Sequence, residues 1–419
     1  MQKDKKEPGP SRSRLGVKVA VGLLLLFMGA ALILCVILYF VAEYRRGIQE
    51  KIAQKLDGLR KLEIEISLDE LQKKFPPLDE NRNGAVVFQN AFLQYVRDEQ
   101  SYELQDSKLL EDPRSSLPDE FLGEADKMLE NNRKALEMIR SVDLKSEFRY
   151  NLEYKKGMAM LLPHLSELHY GARLSRVKAI VCAHRQESDV ALSSLLDIIK
   201  LSRSVREEPL FISQLVRYAI YGTFHSAMQH VLERTTLDES QLRRLMAAIQ
   251  EEEDMKAMRR AFSGEVGSVN QVFDLMRKGR YEALNLLESS IEKTWKVGLG
   301  LWIYDLSGKL DEDHLYYIDS VSRNVAILDG PTHQWGEELE KLENHRKQLQ
   351  SEMKHIVSML IMPGYPSIAG KHLEYLARVR LTRIVCEIEL YRFSHGNLPE
   401  GLLSFAPYLG TLPDRKSVV

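Results

Sequence analysis

The hydrophobic pattern changes character along the chain, and the first change is the sharpest. From Val19 to Ala42 the sequence reads VAVGLLLLFMGAALILCVILYFVA, an apolar run with no charge. As a helix it spans about 36 Å, enough to cross a hydrocarbon core of about 30 Å with some tilt. Arg14 and Lys18 precede it, Glu43, Arg45 and Arg46 follow, and Tyr39, Phe40 and Tyr44 sit where an interfacial aromatic belt would. The run is longer than the h-region of a cleaved signal peptide and passes into bulky and charged residues rather than an A-x-A-like site. It therefore predicts an uncleaved transmembrane anchor over 19–42, preceded by a disordered basic tail over 1–18.

Beyond Ala42 the spacing becomes that of amphipathic helices. Ile48, Ile52, Leu56 and Leu59 form one stripe and predict a stalk helix over 43–66 that extends the anchor. Ser67 with Glu70 three residues later is a capping-box signal for a short helix, which Pro76-Pro77 ends, and Asn83-Gly84 marks a turn. A helix is predicted from about Ala85 to Arg97, and Glu99 to Ser116 reads as an exposed polar linker. Pro118 fits the first turn of a further helix, with Phe121, Met128, Leu129, Leu136 and Ile139 inward.

The middle of the chain is the most regular. Val177, Ile180 and Val181 precede the polar turn Arg185-Gln186-Glu187-Ser188-Asp189, after which Leu192, Leu195, Leu196 and Ile199 resume helical spacing. Pro209 opens another helix, and Asp238 or Glu239 the next. Helices joined by short polar turns predict antiparallel hairpins that stack to bury their apolar faces. The fold class expected is all-α: one transmembrane helix, a helical-hairpin domain over 67–290 and a C-terminal helical region over 291–419. The segment Ala183 to Ala191 resembles the turn of one tetratricopeptide unit, and no fixed period recurs, so an α-solenoid and an irregular helical domain both stay open.

In the C-terminal region the apolar run Trp295 to Tyr304 is too short for a second span and reads as core or interfacial packing. A long charged helix is predicted from about Glu337 to Leu360. Another runs from His372 to Phe393, with Leu373, Ala377, Leu381, Ile384, Ile388 and Tyr391 as its buried stripe. Gly396 is placed to end it in the left-handed conformation, and Pro399 to start a short helix through Leu402, Leu403 and Phe405. Gly396, Pro399 and Tyr391 are accordingly candidate structural-turn residues.

Composition narrows the function classes. The 419 residues hold 58 Lys+Arg against 60 Asp+Glu, which argues against a nucleic-acid partner, since neutralising phosphates needs a basic excess. Cys35 lies in the anchor, and Cys182 and Cys386 fall on apolar segments, as expected of buried free thiols. His164 and His169, like His225 and His230, are five apart, about 140° around a helix, unlike the i, i+4 pair of a helical zinc site. Cys-x-x-Cys, G-x-S-x-G, P-loop and dinucleotide signatures are all missing from the sequence. No catalytic, cofactor or metal residue is therefore assigned. The acidic run Glu251-Glu252-Glu253-Asp254 reads as the solvated face of a helix, with Glu252 able to reach Lys256. Arg206-Glu207-Glu208-Pro209 and Ser263-Gly264-Glu265 are candidates for a polar groove, or equally for a cap and an ion pair between helices.

The string ELYRFSHGNLP from Glu389 to Pro399, continuing to Leu402-Leu403, resembles the end of the long helix in type II secretion pseudopilins. It is more similar to uncharacterised, membrane-anchored helical proteins of planctomycete-type bacteria, whose middle "Asp-x-Ala-Leu … Glu-Pro" stretch is matched by Asp189, Ala191, Leu192, Glu208 and Pro209. The chain departs from both after Leu412-Pro413-Asp414, and the pseudopilin anchor lies on the same helix as this motif, whereas here the two are at opposite ends. The resemblance implies no enzymatic residue.

These readings predict a non-enzymatic scaffold or partner-docking protein of a bacterial envelope, held in the membrane by Val19 to Ala42 and binding a protein partner. Basic residues flank the anchor on both sides. A short basic tail tends to stay in the cytoplasm, which places the body on the periplasmic side. The alternative is a membrane-tethered hydrolase or lyase, with Glu207, Glu208, Glu265, His225 and His230 as its candidate groups.

Overall fold

The expected anchor and stalk form one helix. α1 spans Arg12–Lys61, 50 residues without a break at Ala42, and is about 75 Å long at 1.5 Å per residue. The computed structural model describes residues 12–278, 295–352, 354–399 and 401. Of the expected disordered tail, residues 12–18 are helical, because adding residues to an existing helix carries no nucleation cost; residues 1–11 lie outside the described residues. The large apolar side chains from Val19 to Phe40 are exposed, and α1 is, among the described residues, the one helix long and apolar enough to cross a membrane. Its distal half behaves differently, since Ile48, Ile52 and Leu59 are buried in the body.

Among the described residues the chain is all-α, with sixteen α-helices and no β-strand. α2 (Leu68–Lys74) is capped by Ser67, whose Oγ accepts from Glu70 N at 3.2 Å. Glu70 reaches back one residue further than in a capping box, accepting from Ile66 N at 3.0 Å. Asn83 caps α3 (Gly84–Phe92), which ends well before the expected Arg97. The expected linker from Glu99 to Ser116 is not exposed throughout. It contains α4 (Glu99–Gln105), capped by Asp98, and Leu104, Leu110 and Leu117 pack in one core with α5 (Asp119–Asn131). Three leucines spaced six or seven apart pin the segment down while its charged residues, such as Asp106, Lys108, Glu111 and Asp112, face outward.

After α6 (Arg133–Ser141), the helices α7 (Pro163–His184), α8 (Ser188–Arg203) and α9 (Phe211–Arg234) pack against one another, all three pairs in contact. The turn between α7 and α8 falls where the sequence placed it, with Gln186 left-handed at φ 63°. α10 (Glu239–Gln250) starts at Asp238 with a full capping box, and α11 (Ala257–Arg277) follows. The described chain resumes with α12 (Trp295–Leu306) and α13 (Lys309–Leu328). The long charged helix expected over 337–360 is divided. α14 (Thr332–Ser351) ends, His355 takes φ 53°, and α15 (Ile356–Ile361) begins. Asp313 causes the break by accepting from Val357 N and Ser358 N at 2.8 and 2.9 Å.

α16 (Tyr365–His395) returns onto α9 and α10. Its first turns, with Tyr365 and Ala369, join a core that contains Leu59, Ile64, Phe262, Phe273 and Val321. Its later turns, with Tyr375, Val379, Cys386 and Leu390, join the core of α7, α8 and α9. The helix thus staples two cores together and closes the body. Its buried stripe is rotated from the expected one: His372, Tyr375, Leu376, Val379, Thr382 and Cys386 face inward, whereas Ala377 and Leu381 are exposed. Burial here follows hydrogen-bond partners as well as hydrophobicity, since Tyr375 Oη donates to Glu252 O at 2.6 Å and Thr382 lies 2.9 Å from His225 Nδ1. Gly396 ends the helix at φ 75°, as expected. Tyr391 is only half-buried, its ring stacked on His395 at 4.0 Å, and Pro399 is half-buried beyond the turn. The expected helix through Leu402 to Phe405 lies outside the described residues. Cys182 and Cys386 are buried free thiols.

Candidate functional site

A cleft of about 740 Å³ opens between the end of α3, the segment 150–163 and the first turns of α7, lined among others by Leu93, Tyr95, Arg97, Tyr150, Leu161, His164 and Glu167. Pro163 starts α7 and sets His164 on its first turn, buried at the cleft wall. His164 Nε2 lies 2.9 Å from Glu208 Oε1, and Ser213 Oγ donates to Glu208 Oε2 at 2.5 Å. Tyr150 stacks on the imidazole at 4.2 Å and donates its hydroxyl to Ser204 Oγ at 3.1 Å. Complete burial raises the Tyr150 phenol well above its ordinary range.

The turn that carries Glu208 is held from two sides. Gln214 Nε2 donates to the carbonyls of Val205, Arg206 and Glu208 at 3.2, 3.0 and 2.8 Å. Gly264 N donates to Pro209 O at 3.0 Å, and a Cβ on Gly264 would overlap that same oxygen. The two segments expected to flank a polar groove therefore meet backbone to backbone, and no groove separates them.

The rim mixes charge and exposed apolar surface. Arg97 pairs with Glu167, and its guanidinium lies 4.6 Å from the centre of the Tyr170 ring. Leu93 and Leu161 are 80% and 81% exposed, an unusual solvent exposure for two leucines on one cleft. The Tyr95 hydroxyl is buried with no hydrogen-bond partner, and burial raises its pKa. The hydroxyl points away from solvent, against Gly171 of α7.

The arrangement does not activate a nucleophile. In a serine triad the hydroxyl donates to a histidine that a carboxylate orients. Here the carboxylate stands between the two, so Ser213 is bonded to Glu208 and is itself fully buried.

The other sequence candidates do not converge. Glu207 is exposed beside Arg206 and Arg260. Glu265 lies beside Tyr317 and Tyr365, where loss of water raises its carboxyl to about 7. His225 faces Thr382, whereas His230, fully buried, sits 3.0 Å from Leu110 O. Of the five, only Glu208 touches a residue of the cleft wall, His164, which the sequence presents only as a possible metal ligand. Among the described residues no group of three or more His, Cys, Asp or Glu could hold a metal.

The acidic run 251–254 is not a solvated face. Glu252 is fully buried, bound by Arg203 Nε at 2.8 Å and Arg217 Nη2 at 3.2 Å, and Asp254 is bound by Arg217 and Arg260 at 3.0 and 2.6 Å. Burial opposes ionisation of Asp254, but Arg217, Arg260 and Arg206 outweigh it and hold the carboxyl at about 2. Sequence pattern shows acids in a row; it cannot show arginines from α8, the α8–α9 turn, α9, α11 and α16 converging on them. No protein-family model matches the chain, and neither does any curated protein or any solved structure.

Proposed function

We propose that the protein is a non-enzymatic, membrane-anchored scaffold whose rigid helical body offers the His164 cleft to a segment of a partner protein. The observation that carries this reading is the continuity of α1. One helix leaves the apolar segment and enters the core, with Ile48, Ile52 and Leu59 buried and Arg45 paired to Asp305 and Asp311 at 2.7 Å each. Such a helix holds the body at a set height above a bilayer, the geometry of a display platform. The cleft suits a partner that presents an apolar side chain between Leu93 and Leu161. The short basic tail favours a periplasmic body, in keeping with an envelope role.

Affinity capture of the full chain in mild detergent tests this. The expected result is a stoichiometric partner that is lost from the Leu93→Glu/Leu161→Glu variant. Recovery of the bare chain, or of a partner that ignores the variant, would contradict it. One observation favours a second reading, a tethered hydrolase or lyase: His164 lines the cleft and is oriented from behind by the Glu208 carboxylate, the arrangement of a general base. A hydrolytic activity abolished by His164→Gln, with partner capture unchanged, would favour it.

A further inference from the structure

α12 has an inner and an outer side of different chemistry. Leu301 and Tyr304 pack against the core that contains Leu59 and Phe273, and Tyr304 Oη donates to Asp313 Oδ2 at 2.9 Å. The outer side carries Leu299, Trp302 and Ile303, which are 45%, 60% and 53% exposed. Three large apolar side chains within two turns, one of them tryptophan, make an exposed patch of the kind that marks a binding surface.

Its position says what covers it. Leu306, the last residue of α12, lines one cavity with Leu38, Val41, Ala42, Arg45 and Gln49, the place where the apolar part of α1 ends. Gly308 follows at φ 81°, and a Cβ there would lie 3.2 Å from Arg45 Cγ. Arg45 then fixes the junction through Asp305 and Asp311, and Tyr44 Oη donates to Glu312 at 2.5 Å. At 1.5 Å per residue Trp302 is about 6 Å from Leu306 along the axis. The headgroup layer on one side of a bilayer is about 5–8 Å deep. Trp302 therefore lies within about one headgroup depth of the point where the apolar part of α1 ends, whatever tilt α12 adopts.

We propose that Leu299, Trp302 and Ile303 form a second membrane contact, an interfacial patch set into the headgroup–acyl boundary of the leaflet from which α1 emerges. The inference rests on α1 being the anchor. An indole suits this boundary because its ring is apolar and its N–H is not. With α1 alone the body could tilt in any direction relative to the membrane plane. With α12 seated beside it, one face of the body is held toward the lipid.

Tryptophan fluorescence of the full chain in phosphatidylcholine vesicles brominated near the glycerol end of the acyl chains tests the contact. Trp335 is buried in the body and serves as the unquenched reference. In a Trp295→Phe background a substantial loss of emission is expected relative to unbrominated vesicles, and none in Trp295→Phe/Trp302→Phe. Adding Phe27→Trp to the double variant reports on the anchor, with lipid brominated near the chain ends. If Phe27→Trp is quenched but Trp302 responds only to aqueous iodide, or to neither quencher, the second contact is refuted and the anchor stands. If Phe27→Trp is not quenched either, both are refuted.

Discussion

Arg217 on α9 and Glu252 in the α10–α11 turn meet with both side chains wholly removed from solvent, Nη2 and Oε2 3.2 Å apart. Arg217 also reaches Asp254 at 3.0 Å and the Tyr375 hydroxyl at 2.9 Å, so one guanidinium ties α9, the turn and α16. Removing one partner of a buried pair leaves the other charged and unsolvated, which costs about 3–5 kcal/mol. Arg217→Met is expected to lower the stability of the full chain in detergent by about that much, read from urea unfolding. Arg217→Met/Glu252→Leu should recover part of the loss, because Glu252 no longer faces the emptied site, while Arg203 keeps Glu251 as its partner. A single variant that unfolds like wild type would mean that the cluster is hydrated.

Acid should weaken the fold in two stages. Burial, with the nearby Arg277 cation, depresses the His314 imidazole to about 3, and its Nδ1 lies 2.8 Å from Arg277 Nη2. The unfolded chain therefore binds a proton that the folded chain refuses. The stability this group contributes is present above its unfolded pKa of about 6.5 and is lost as pH falls toward 3. Asp254, held at about 2, adds a second loss as pH drops below about 4. Unfolding midpoints measured from pH 7 to 3 should fall less steeply for His314→Asn, by up to about 1.4 kcal/mol per pH unit. An unchanged slope would show that His314 takes its proton while folded.

The C-terminal turn is a smaller test. Gly396 at φ 75° has open space around it, so a side chain there meets a backbone penalty and no clash. Gly396→Val should cost at least about 1–2 kcal/mol, measured by thermal unfolding. Tyr391→Ala should cost less than the roughly 3 kcal/mol of a fully buried aromatic, because Tyr391 is half-buried and its ring contact is with the exposed His395. Identical melting of Gly396→Val and wild type would contradict the left-handed assignment.

Features set by local chemistry were legible in the sequence. The charge-free run 19–42, the Ser67 cap, the turn at Gln186 and the glycine stop at Gly396 each depend on a few neighbouring residues, and each is where it was expected. The phase of α16 was not legible, because Leu381 outranks His372 and Thr382 in hydrophobicity, yet His372 packs on Trp335 and Tyr218 and Thr382 meets His225. Likewise Glu252 looked solvated because its partners Arg203 and Arg217 are far from it in sequence. The His164–Glu208 pair was hidden for the same reason: nothing local links residues that far apart.

α1 is expected to be the sole spanning element of an independently folded body. Alkaline carbonate extraction of membranes carrying the full chain, or the chain lacking residues 1–43, tests this directly, since carbonate strips interfacial contacts but leaves spanning helices in place. The full chain should stay with the membrane pellet. The shortened chain should move to the supernatant and keep a strongly helical circular dichroism spectrum. Extraction of the full chain, or a shortened chain that stays embedded or loses its helicity, would contradict it.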